Sequence, residues 1–139
     1  MRDDDPMAFI DKLVYGPGGP SAIVVLTGAG VSCESGLATF RDPDGIWAQV
    51  RIEDVATPDA FARDPARVHG FYNARRRQLT ETAPIPNAAH RALAQLERDW
   101  PGEFLLVTQN VDDLHNRAGH THHITMHGML LKSVCTHCG

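Results

Sequence analysis

Four places along this 139-residue chain gather residues whose types and spacing could do chemistry. Gly28-Ala29-Gly30 follows the apolar run Ala22-Ile23-Val24-Val25-Leu26. Glycines after a buried strand permit tight turning and close backbone approach, and free N–H groups at a following helix start attract anionic phosphate. An ordinary strand-to-helix turn would look the same, and the dinucleotide fingerprint's third glycine position is held by Cys33. Cys135-Thr136-His137-Cys138 has the spacing with which two thiolates grip one tetrahedral zinc. A structural zinc needs four donors, His137 is poorly placed between the two cysteines, and Cys33 is the remaining cysteine. Tyr72 and Arg75 are three apart in a helical stretch, so both can face one point. Finally there are eight histidines. His69 and His90 fall in expected helices and read as surface or packing residues; His120, His122 and His123 could cluster on a metal but read as a solvated loop.

The elements that must position these groups follow from periodicity and caps. Met7 to Tyr15 reads as a short amphipathic helix, broken by Gly16-Pro17-Gly18-Gly19-Pro20. Ala22 to Leu26 suits a strand buried on both faces of a parallel sheet. Asp42 to Val55 has no clear period and reads as a long loop. Thr57-Pro58 and Asp64-Pro65 each look like an N-cap followed by proline at the first helical position. A short helix is expected after the first pair and a longer one, to about Leu79, after the second. Asn87 is expected to cap a helix through Arg98, with Ala89, Leu93 and Leu96 inward. Phe104 to Thr108 and His123 to His127 are further strand candidates. This order predicts that residues 1–139 are part of a single α/β domain, an incomplete Rossmann-like parallel sheet with flanking helices, and the cysteine spacing adds the first half of a zinc-binding module.

The motifs also carry a family resemblance. Gly28-Ala29-Gly30-Val31-Ser32-Cys33-Glu34-Ser35-Gly36, continuing through Thr39-Phe40-Arg41-Asp42 and Gly45-Ile46-Trp47, resembles the first signature of the sirtuins, which are NAD-dependent protein deacylases. Thr108-Gln109-Asn110-Val111-Asp112-Asp113-Leu114-His115 resembles their second signature and Met126-His127-Gly128 their third. Cys33 departs from the alanine of many relatives, a small-for-small exchange.

The resemblance implies that Gly28, Ala29 and Gly30 meet the NAD phosphates, that Phe40 and Arg41 lie on a mobile loop over the nicotinamide ribose, that Trp47 is among the cofactor-binding residues, and that Gln109, Asn110 and Asp112 line the ribose and nicotinamide pocket. It implies that His127 is the catalytic base, taking a proton from a ribose hydroxyl, a task suited to a group titrating near neutrality. His115 is expected to be structural. Some sirtuins with the Tyr72/Arg75 arrangement prefer acidic acyl groups such as succinyl or malonyl. Arg76 and Arg77 are read as a solvated face. Cys135 and Cys138 would be half of a zinc site completed by a second cysteine pair.

A net charge of -4 gives no general reason to bind nucleic acid or anionic membrane, and no apolar run approaches a membrane span. The acidic start, Met1 to Pro6, lacks the apolar stretch of a secretory signal, so a cytoplasmic location is expected. The expected partners are NAD and acyl-lysine proteins. The expected activity is NAD-dependent deacylation, with desuccinylation or demalonylation favoured by Tyr72 and Arg75. A non-catalytic remnant that binds NAD or a partner, and an ADP-ribosyltransferase, are the alternatives. By resemblance the chain ends before the adenine-holding half of the domain, so isolated 1–139 is expected to turn over little.

Overall fold

The computed structural model describes residues 21–37, 50–135 and 137–138. The expected helix at Met7 to Tyr15 and the residues Phe40, Arg41 and Trp47 lie outside them. Three parallel strands form one sheet in the order β1-β2-β3: β1 Ala22–Thr27, β2 Glu103–Thr108 and β3 His123–Thr125. Val25 lies opposite Leu106, and Thr27, Thr108 and Thr125 form one row across the strand ends. Among the described residues between β1 and β2 are a 3-10 helix, Ala29–Ser35, and four α-helices: α1 Ile52–Val55, α2 Pro58–Arg63, α3 Pro65–Thr82 and α4 Ala88–Asp99. A short α5, Leu114–Ala118, joins β2 to β3. This is the expected partial Rossmann-like arrangement of parallel strands linked by helical crossovers.

The helices start where their caps say they should. The Thr57 hydroxyl accepts from the Ala60 N–H at 3.1 Å, and the Asp64 carboxylate from the Arg67 N–H at 3.0 Å, each ahead of a proline at the first turn. Asn87 accepts from the Ala89 and His90 N–H groups while the His90 ring accepts from the Asn87 N–H, a reciprocal capping box. The α3 helix runs past Leu79 to Thr82 and ends at Ala83, which is left-handed with φ 42°.

Four expectations change. The stretch read as a loop up to Val55 ends in α1, whose Val55 is buried. On α4, Ala89 faces solvent while His90 and Ala94 are buried, because the capping geometry turns His90 inward. The third strand stops at Thr125, since the chain turns through Gly128 at φ 72°. The largest change concerns β1, which is covered on one face. Its Thr27 side carries the buried Leu106 and Thr108 of β2, with His115 of α5 against Thr27. Val24 and Leu26 point the other way and are 67% and 62% exposed, as is half of Ile124 on β3. Parallel strands usually need helices on both faces; among the described residues, α4 and α5 supply one.

Candidate functional site

The carboxyl ends of β1 and β2, where open α/β sheets bind ligands, bring the first two motifs together. β1 delivers Gly28, and the chain then winds into the 3-10 helix, not the α-helix a dinucleotide loop suggests. Gly36 ends that helix in a left-handed conformation, φ 86°. Gly28 and Gly30 have ordinary negative φ, so backbone strain does not require glycine there. A Cβ built on either would meet nothing within 4 Å, which leaves the backbone open to close approach.

Opposite this loop stands the turn after β2. Its backbone is pinned to β1 by the Gln109 N–H donating to the Thr27 carbonyl at 3.0 Å. The Gln109 side chain is exposed, while Asn110 is buried. The Asn110 amide donates to the Ser32 hydroxyl at 3.2 Å, and Ser32 donates to an Asp112 carboxylate oxygen at 3.0 Å. The second Asp112 oxygen accepts from the Leu114 N–H at 3.1 Å and so starts α5. One carboxylate therefore holds a helix start and the glycine loop at once. Ser32 was not singled out from sequence; its only signal was a small hydroxyl residue inside the loop motif. Asn87 adds a second tie, its amide donating to the Val31 carbonyl at 2.7 Å and the Ser35 hydroxyl at 3.1 Å.

Behind these motifs lies a layer of histidines. His90, His115 and His120 are buried, with ring centroids 4.8 Å apart between the first pair and 5.1 Å between the second. The Thr27 hydroxyl is 3.0 Å from His115 Nε2. Burial, reinforced by the neighbouring histidines, pulls the His115 ring down to about 4, and burial likewise lowers His90 and His123. His120 is not in a solvated loop: its Nδ1 lies 2.5 Å from Glu97 Oε2. Burial raises the Glu97 carboxyl, but hydrogen bonds from Thr121, His122 and His120 outweigh it and bring it down to about 2.

The third motif places His127 exposed in the Thr125–Gly128 turn at the end of β3. Tyr72 lines a cleft of about 510 Å³ with Phe61, His69, Arg76, Lys132 and Cys135. Burial pushes the Tyr72 phenol up. Arg75 is outside that lining; its guanidinium stacks over the Phe71 ring at 5.4 Å, and its buried Nε has no hydrogen-bond partner. Arg76, read as solvated, instead donates from Nε to the Leu130 carbonyl at 2.6 Å. Cys135 and Cys138 are both exposed. The backbone N–H groups of His137 and Cys138 donate to the Cys135 sulfur and lower its pKa, favouring the thiolate. Among the described residues, no group of three or more His, Cys, Asp or Glu could hold a metal ion, and no helix is long and apolar enough to cross a membrane.

A parallel sheet with an open glycine loop and a polar turn at its carboxyl end is the arrangement at which open α/β sheets bind ligands. The chain belongs to the Sir2 family, whose model matches residues 28–139. It is 61% identical to a Bdellovibrio bacteriovorus NAD-dependent protein deacylase over 84% of this chain and 49% of that protein. It is 56% identical to the protein of the same name from Escherichia coli K12 over 94% of this chain and 47% of that protein. A solved Sir2 homolog–NAD complex superposes with a TM-score of 0.72 at 44% identity, over 88% of this chain and 45% of that one. The chain thus spans about half the length of the curated relatives it matches.

Proposed function

We propose that this chain contributes the glycine loop, the ribose and nicotinamide contacts and the acyl pocket of an NAD-dependent protein-lysine deacylase. One observation carries the reading: the Ser32–Asn110–Asp112 network abuts a glycine loop whose Gly28 and Gly30 leave room for a ligand. NAD is the ligand this reading assigns to it, since relatives of this chain are named NAD-dependent deacylases and a solved Sir2 homolog is an NAD complex. When bound, NAD supplies the ribose carbon that accepts the acyl oxygen as nicotinamide departs.

The chain's own residues then have separable roles. The backbone at Gly28, Ala29 and Gly30 receives the phosphates. Gln109, Asn110 and Asp112 orient ribose hydroxyls and the carboxamide, with Asn110 and Asp112 held in place by Ser32. His127, on its exposed turn, accepts the proton from a ribose hydroxyl.

Tyr72 and Arg75 give the acyl pocket a preference for carboxylate-ended groups such as succinyl or malonyl. The partnerless Arg75 Nε supports this, because a buried guanidinium N–H is costly until an acceptor reaches it. Cys135 and Cys138 supply two of the four donors of a structural zinc, a role consistent with the N–H groups that already favour the Cys135 thiolate. The test is turnover of acyl-lysine peptides by the full-length protein, with nicotinamide measured alongside. Acyl removal should require NAD and release one nicotinamide per acyl group. Turnover without NAD, or no detectable NAD binding, would overturn the reading.

A further inference from the structure

The buried histidine layer is not used by the reading above, yet it sits directly beneath it. His115 is the residue through which the layer touches the site. Its Nε2 meets the hydroxyl of Thr27, the last residue of β1 before the glycine loop. Its own helix begins at Leu114, whose N–H is held by Asp112. A ring bound at both ends of this short path couples the Gly28 loop to the Ser32–Asn110–Asp112 network. Most of that path is shielded from solvent: Thr27, Ser32, Asn110 and His115 are buried and Asp112 is half-buried.

We propose that His115 is a positioning residue for the nucleotide site: its neutral ring clamps the Thr27 hydroxyl, and acidification of the histidine layer releases the clamp and nucleotide affinity with it. The inference rests on the nucleotide reading above. The hydrogen bond alone would permit either ring charge, but the surroundings do not. His90 from α4 packs on one side of the ring and His120 from the loop after α5 on the other, and a charge on His90, His120 or His123 opposes one on His115. The nearby carboxylates already have partners. Glu97 on α4 is committed to His120, Thr121 and His122. Asp112 favours a charge on His90, countered there by His120 and Arg91, and Glu97 favours one on His123, countered there by His120 and Lys132. A proton forced onto the layer therefore adds charge where partners are spent, and a buried unpaired charge is relieved by local opening. The opening lies between β1 and α5, which is where the two motifs are joined.

The experiment measures NAD affinity of the full chain by calorimetry at about pH 7.5 and about pH 5, a window that spans free histidine. The quantity read is each protein's own ratio of dissociation constants at the two pH values. The wild type should weaken roughly tenfold or more on acidification, a loss of about 1.4 kcal/mol or greater. His115→Gln offers an amide to Thr27 but cannot take a proton, so its ratio should fall well below the wild-type ratio. Thr27→Val keeps the shape, removes the clamped hydroxyl, and should weaken NAD binding at the higher pH while its ratio also falls. The Thr27 variant keeps the idea testable if His115→Gln does not fold. A purely structural histidine would alter stability in both variants and leave the ratio unmoved. NAD binding with equal ratios in wild type and variants overturns the clamp while sparing the nucleotide reading. Absence of NAD binding at either pH overturns both.

Discussion

Asn87 does two jobs with one amide, and two substitutions separate them. Its carbonyl oxygen caps α4 by accepting from Ala89 and His90, while its NH₂ group ties Val31 and Ser35 of the glycine loop. Loss of an N-cap costs about 1 kcal/mol, and each further hydrogen bond a net of about 0.5–1.5 kcal/mol. Asn87→Ala removes everything and should destabilise by about 2–4 kcal/mol. Asn87→Asp keeps the cap, and adds a favourable negative charge at a helix start, but it presents an acceptor to the Val31 carbonyl. It should therefore lose about 1–3 kcal/mol, all of it from the loop side. At roughly 2–4 °C per kcal/mol for a domain of this size, Asn87→Ala should lower the melting temperature by about 4–16 °C. Urea unfolding of both variants gives the comparison. Hydrogen exchange should show the Ala29–Ser35 helix loosened in both and the first turn of α4 loosened only in Asn87→Ala. Equal stability for Asn87→Asp and wild type would refute the loop tie. Equal stability for the two variants would refute the cap.

Three further outcomes are expected. Arg75→Met should depress desuccinylation against deacetylation by roughly 30-fold to a few thousand-fold, the scale of losing one partner of a buried charge pair, with Tyr72→Phe weaker in the same direction; an unchanged ratio of kcat/KM for matched peptides would reduce the pair to a helix surface. His127→Ala should lower turnover by roughly 10²–10⁴-fold while NAD binding survives better, and near-normal turnover would move the base elsewhere. His115, lowered from 6.5 to about 4 by burial and its neighbours, contributes stability that is complete above the unfolded value and lost as pH falls from 6.5 toward 4. The loss should reach about 3 kcal/mol in urea midpoints taken across that range, and a flat profile would contradict the burial argument.

What could be read in advance divides by distance along the chain. The helix starts at Pro58, Pro65 and Ala88 were legible because a cap and its N–H partners lie within three residues. The parallel order of β1, β2 and β3 was legible from apolar runs separated by helical stretches. His120 was misread because its partner, Glu97, stands 23 positions away, and Arg76 because Leu130 is 54 away. Ser32 joins residues 78 and 80 positions off, so the loop motif showed its neighbourhood but not its bonds. The bare side of β1 was hidden for a different reason. An apolar run reports affinity for cover on both faces, and Val24 and Leu26 have that affinity without cover among the described residues.

The sheet order also sets a timetable for synthesis. β1 comes early, but the ring that holds its Thr27 lies 88 residues later. At roughly 5–20 residues per second on a ribosome, Thr27 waits on the order of 4–18 s for His115. For most of that interval Ala22–Thr27 is a nascent apolar strand with no β2 to pair against, and this is the window in which a chaperone or a neighbouring nascent chain can reach it.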